Sequence, residues 1–159
     1  GDEAQKERDF FLKAAAAVPK GYEFGNNRAA DLLAIASSVL DGEMAARSRN
    51  FGESETKLRQ AVRVEDGLRY NEPPDWMQPS RHTLGAVLLR DGKYAEAEKV
   101  YREDLARYPE NGWSLFGLGR ALRLQKKDAE AADLEARFHR IWDRADVTLG
   151  STCFCQPGV

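Results

Sequence analysis

Leu84-Gly85 and Leu118-Gly119 are separated by 34 residues, and the same offset pairs Leu88 with Leu122 and Ala97 with Ala131. A fixed spacing of this size between like residues marks one supersecondary unit copied along the chain. A single copy cannot bury its own apolar face, so neighbouring copies must stack and share a continuous core. The residue types say what the unit is. In the copy at 78–111, small Gly85 and Ala97 let two antiparallel helices approach, while Leu84 and Tyr101 fill the space between them. Asp91-Gly92 ends the first helix with a C-terminal glycine. Pro109 ends the second, because it lacks an amide hydrogen and disfavours helix in the residue before it.

Leu84, Gly85, Ala97, Tyr101 and Pro109, with Tyr94 opening the second helix, stand in the order and spacing of the tetratricopeptide repeat, and the chain resembles that family over residues 78–145. The segments YNEPPDW, YREDLARYPENGWSLFGL and ADVTL are similar to the C-terminal part of larger bacterial proteins of this kind. The copy departs from the family at Arg81, Leu88 and Asp104, where Trp, Tyr and Ala are preferred. The resemblance implies an all-α fold, a right-handed α-α superhelix of antiparallel helix pairs.

The copy at 112–145 keeps Leu118, Gly119 and Ala131 but carries Glu135 where an aromatic is expected; Phe138 and Trp142 supply the missing bulk. Upstream, Phe51, Leu58 and Ala61 answer Tyr94, Tyr101 and Asp104 at an offset of 43, and the nine extra residues are the insert RYNEPPDWM at 69–77. Leu32, Leu33, Ile35, Ala36, Val39, Leu40 and Met44 form an apolar stripe at helical spacing, predicting a long helix over 28–47 within a degenerate repeat at 28–68. Phe11, Ala14 and Pro19 make residues 2–18 the second helix of a truncated repeat, with 19–27 as an inter-repeat turn and 146–159 as a tail. The expectation is one domain of seven helices, cut from a longer array.

Net charge is -2, with 24 basic against 26 acidic residues, which argues against a nucleic-acid binder driven by phosphate charge. No apolar run reaches the roughly 18 residues of a membrane span. There is no phosphate loop, dinucleotide fingerprint, zinc-protease motif or nucleophile elbow. The chain is therefore expected to be no enzyme and to need no cofactor. The sequence leaves the compartment undetermined, with the cytoplasm favoured over a periplasmic location, which stays open should the native N-terminal region carry a signal.

The resemblance implies a scaffold that takes a peptide or protein partner in a concave groove lined by first helices. The family's groove positions fall on His82, Leu89 and Arg90 in one repeat and on Trp113, Phe116, Arg120 and Arg123 in the next. Arginine donates bidentate bonds and stacks on rings, so this set suits a peptide with carboxylates and an apolar anchor. The competing reading makes Trp113 and Phe116 core and pairs the arginines with nearby acids. Trp76, at the tip of the insert, either plugs a gap between helices or reaches a partner.

The tail carries Cys153 and Cys155. With His139 they could hold a soft metal or exchange disulfides, but they fall short of a closed four-ligand site. The expectation is a structural cap, with Val147, Leu149 and Phe154 covering Phe138, Ile141 and Trp142.

Overall fold

The computed structural model describes residues 1–153 and 156. Among these the elements are α1 (Asp2–Ala16), β1 (Glu23–Phe24), β2 (Asn27–Arg28), α2 (Ala29–Arg47), α3 (Phe51–Asp66), α4 (Ser80–Arg90), α5 (Tyr94–Arg107), α6 (Gly112–Leu124) and α7 (Asp128–Trp142). The fold is all-helical apart from one two-stranded antiparallel ribbon, which pairs Glu23 with Arg28 and Phe24 with Asn27 inside the expected turn. The chain forms two compact units, Gly1–Ser80 and the residues from Arg81 onward.

In the first unit α2 packs along α3, burying Ile35, Ala45 and Ala46 with Leu58 and Ala61. Gly42 is required there, since a Cβ would lie 2.7 Å from Leu58 Cγ. Helix α1 buries no residue and leaves Phe10 70% exposed. It is tied down by charge: Arg8 donates to Asp41 at 2.5 Å, and Lys57 reaches the same carboxylate at 3.1 Å. The Arg8 bond holds the Asp41 carboxyl below its ordinary range against the opposing effect of partial burial, with help from Lys57.

The insert is stapled to the ribbon by one buried side chain. Asn27 accepts from the Arg69 amide at 2.7 Å and donates to the Arg69 carbonyl and to Asp75. Trp76 is half-buried, and its indole nitrogen is buried without a hydrogen-bond partner among the described residues.

In the second unit α6 packs on both α5 and α7. Leu84, Gly85, Ala97, Leu118, Gly119 and Ala131 are all buried, as their spacing predicts. The two glycines differ, however. A Cβ on Gly85 would lie 2.3 Å from the Tyr101 ring, whereas one on Gly119 would meet only Glu135 Cγ at 3.6 Å. The other close approach to that ring falls instead at Gly117, whose Cβ would strike Tyr101 at 2.4 Å and Thr152 at 2.6 Å.

The strongest internal regularity is a turn. Gly92 has φ 76°, its amide bonds to the Leu89 carbonyl, and the next amide, of Lys93, bonds to Leu88. This is the paired capping arrangement that satisfies the last carbonyls of a helix through one left-handed residue. Lys126, with φ 62°, repeats it onto Arg123 and Leu122; Arg49, also at φ 62°, repeats it onto Ala46 and Ala45. The three turns sit 43 and 34 residues apart, the same offsets that relate the apolar markers.

Candidate functional site

The second unit is built around a buried polar cluster. Asn111 caps α6: its Oδ1 accepts from the amides of Trp113 at 3.0 Å and Ser114 at 3.4 Å. Its amide nitrogen turns inward and donates to Asp104 Oδ2 at 3.2 Å. The same oxygen receives Ser114 Oγ at 2.7 Å and lies 3.0 Å from His82 Nε2. The Asn111 amide nitrogen also stands 3.0 Å from His82 Nε2, so the three side chains converge on one carboxylate oxygen. Asp104 Oδ1 has no partner among the described residues. Asp104 and Ser114 are fully buried. The three residue types of a hydrolytic triad are present, but the serine hydroxyl donates to aspartate rather than to histidine. That arrangement cannot activate the serine as a nucleophile.

This cluster corrects the expectation for His82. The residue is 4% exposed and committed to Asp104, so it offers no side chain to a groove ligand. Asp104, which stands where the resembled family prefers alanine, is the reason: a buried carboxylate requires the donors that His82, Asn111 and Ser114 supply. The departure at Asp104 is visible in the sequence, but its three partners are not.

The C-terminal segment completes the site. Thr152 is 1% exposed, and its Oγ1 donates to the His82 carbonyl at 2.9 Å. A hydroxyl has one hydrogen, so Tyr101 Oη must donate to Thr152 across their 2.8 Å contact. Burial pushes the Tyr101 hydroxyl well above its ordinary pKa despite the Thr152 bond, which keeps it a neutral donor. Cys153 is 2% exposed, Leu149 is buried, and Gln156 accepts from Arg90. A cavity of about 200 Å³ lies between this segment and Trp113. The tail thus anchors on α4, α5 and α6, and among the described residues its cover over α7 is only partial. Val147 and Ile141 remain 38% and 41% exposed, although Trp142 Nε1 donates to the Val147 carbonyl at 2.8 Å. Phe154 and Cys155 lie outside the described residues.

The other expected groove residues divide. Trp113 meets Trp142 edge-on at 5.7 Å, Phe116 meets Phe138 at 5.6 Å, and Phe138 stacks on Trp142 at 5.4 Å. These rings form one half-exposed seam between α6 and α7. Arg123 makes a forked pair with Glu135 at 2.6 and 2.9 Å and reaches Asp128 at 3.1 Å. Those bonds hold its guanidinium charged beyond its ordinary range and leave it no bidentate face for a ligand. Arg120 is exposed, and Arg90 is turned to Gln156. His139 is exposed beside Phe138, whereas Cys153 is buried. No group of three or more His, Cys, Asp or Glu suited to a metal ion occurs among the described residues. No described helix is long and apolar enough to cross a membrane.

Comparison with family models, with curated proteins and with solved structures returns no match for this chain.

Proposed function

We propose that the chain is a tetratricopeptide-type helical array, a right-handed superhelix of helix pairs, working as a non-catalytic module that binds an extended peptide or protein segment. The observation that carries this reading is the recurrence of one capped turn at Arg49, Gly92 and Lys126. Each turn joins a pair of helices, and the offsets of 43 and 34 residues match those of the apolar markers. Repeated units of this kind expose one continuous face, and that face is where such arrays take ligands. The half-exposed Trp113 and Phe116 beside exposed Arg120 offer an apolar anchor and a cation on α6. Aromatic rings with arginine are the residue types that dominate binding energy at interfaces.

The test is selection of peptides from a random display library on the immobilised full chain, followed by titration against Trp113→Ala, Phe116→Ala and Arg120→Ala. Enrichment of one motif, with affinity lost on these substitutions and melting temperature retained at Arg120→Ala, is the expected result. No enrichment, or enrichment indifferent to all three, would overturn the reading.

A further inference from the structure

Residues 147–153, with Gln156, pack across the second unit. The segment leaves α7 through exposed residues 143–148 and crosses to α6, where Gly117 lacks the Cβ that would collide with Thr152. It then reaches α4, seventy positions earlier in the chain, through the Thr152 bond to the His82 carbonyl and the Gln156 contact with Arg90. Of the residues expected to meet a partner, Arg90 bonds this segment, Trp113 lines the cavity beside it, and His82 supplies the backbone carbonyl that receives Thr152.

The seat is selective. Tyr101 Oη and the His82 carbonyl offer one donor and one acceptor to a single hydroxyl, while the space at Gly117 admits one methyl group. That is the shape of threonine. The next residue, Cys153, is small and buried, and Leu149, three positions before Thr152, is buried as well.

We propose that residues 147–153, with Gln156, form an intramolecular pseudo-ligand that occupies the part of the second unit's peptide site beside Trp113. The true partner is then an extended peptide of the pattern Leu-x-x-Thr followed by a small apolar residue, and it binds by displacing this strap. The proposal rests on the reading of the chain as a peptide-binding module. The strap competes from an effective concentration of about a millimolar, as short flexible tethers generally provide. A partner therefore meets a site whose open fraction is small, and its apparent affinity is lowered by that fraction.

The probe is a synthetic peptide of residues 147–159, VTLGSTCFCQPGV, labelled and kept under reductant. It is titrated against the full wild-type chain and against full-length Thr152→Asp, which places a charge where the strap is buried and so ejects it while leaving Tyr101, His82 and Gly117 unchanged. Binding to the variant at least about tenfold tighter than to wild type is expected, because the competitor is gone. The same peptide with its threonine changed to valine should lose that binding. A folded variant that does not bind, or that binds both peptides alike, overturns the proposal. So does a full chain that dimerises by exchanging tails while ignoring the peptide.

Should Thr152→Asp fail to fold, hydrogen exchange of the wild type decides. Amides of 148–153 exchanging at least about a hundredfold faster than those of α5 and α6 support a releasable strap, since local opening costs less than global unfolding. Equal rates make it a fixed part of the core and overturn release. Failure here, with a library motif still bound at Trp113, Phe116 and Arg120, removes the strap proposal and leaves the interaction module standing. Failure of both removes the module.

Discussion

His82 Nε2 stands 3.0 Å from Asp104 Oδ2, with 5% and 0% of the two side chains exposed, so α4 and α5 are joined by an ionisable pair sealed from water. Such a pair contributes little net stability compared with apolar residues of the same volume. Breaking it from one side is costly, because the remaining group stays buried without its partner.

A double-mutant cycle follows from that asymmetry. His82→Leu and Asp104→Leu should each lower unfolding free energy by about 1–3 kcal/mol, the cost of leaving a buried hydrogen-bonding partner unsatisfied. The double variant should lose at least about 1 kcal/mol less than the sum, the coupling expected of contacting groups. Urea titration of all four proteins measures it, and additive losses would mean that the contact carries no energy.

The glycines separate by what faces them. Gly85→Ala and Gly117→Ala drive a methyl group into the Tyr101 ring and should each cost about 1–3 kcal/mol through overpacking. Gly119→Ala meets nothing closer than 3.6 Å, lies within α6, and should gain about 0.5–1 kcal/mol by restricting the unfolded chain. Denaturant midpoints of the three variants rank them; a loss at Gly119 comparable to that at Gly85 would contradict the geometry.

The helix pairs were legible because their signal is periodic and local. Leu84, Ala97, Leu118 and Ala131 repeat at one offset, and each packs within its own or the adjoining helix pair. The glycine exchange was not legible: Gly117 and Gly119 stand two positions apart, and which one faces Tyr101 depends on helix rotation that a repeat alignment fixes only to within such a step. The Asp104 cluster was half visible. A charged residue at a small apolar position signals a buried polar network, but its donors come 22 residues before and 7 and 10 residues after it, with no periodicity to point at them. Thr152 was hidden altogether, because nothing in the tail's sequence marks a partner 51 or 70 residues away.

The recurrent turn supplies a reciprocal pair of substitutions. Lys126 holds φ 62° where Gly92, in the same turn of the preceding pair, holds 76°. A left-handed conformation costs a side-chain-bearing residue about 1–2 kcal/mol, part of which glycine gives back as backbone entropy. Lys126→Gly should therefore raise stability by up to about 1 kcal/mol, and Gly92→Ala should lower it by a similar amount. Thermal unfolding of both variants checks the signs; a loss at Lys126→Gly would show that its side chain matters more than its backbone angle.

Glu98 on α5 gives the chain a specific acid sensitivity. Its side chain is 14% exposed, and burial by itself opposes ionisation. Lys127 at 2.7 Å, Gln125 at 2.8 Å and Arg102 at 2.9 Å overcome that opposition and bring its pKa from 4.5 down to about 2. A carboxyl whose pKa is depressed by folding binds its proton more readily in the unfolded chain. Its stabilisation is complete above pH 4.5, falls as acid protonates the unfolded state, and is gone once pH passes below about 2. Glu98→Gln should thus be less stable than wild type near neutrality and should approach it as pH drops through that window. The variant's curve will still fall, because Asp41 and Glu135 are also held below their ordinary range by their arginine partners. Its slope between pH 4.5 and 2 should nevertheless be visibly shallower. Urea unfolding at half-unit intervals of pH measures the difference, and parallel curves for the two proteins would show that the bonds from Lys127, Gln125 and Arg102 do not favour the ionised form.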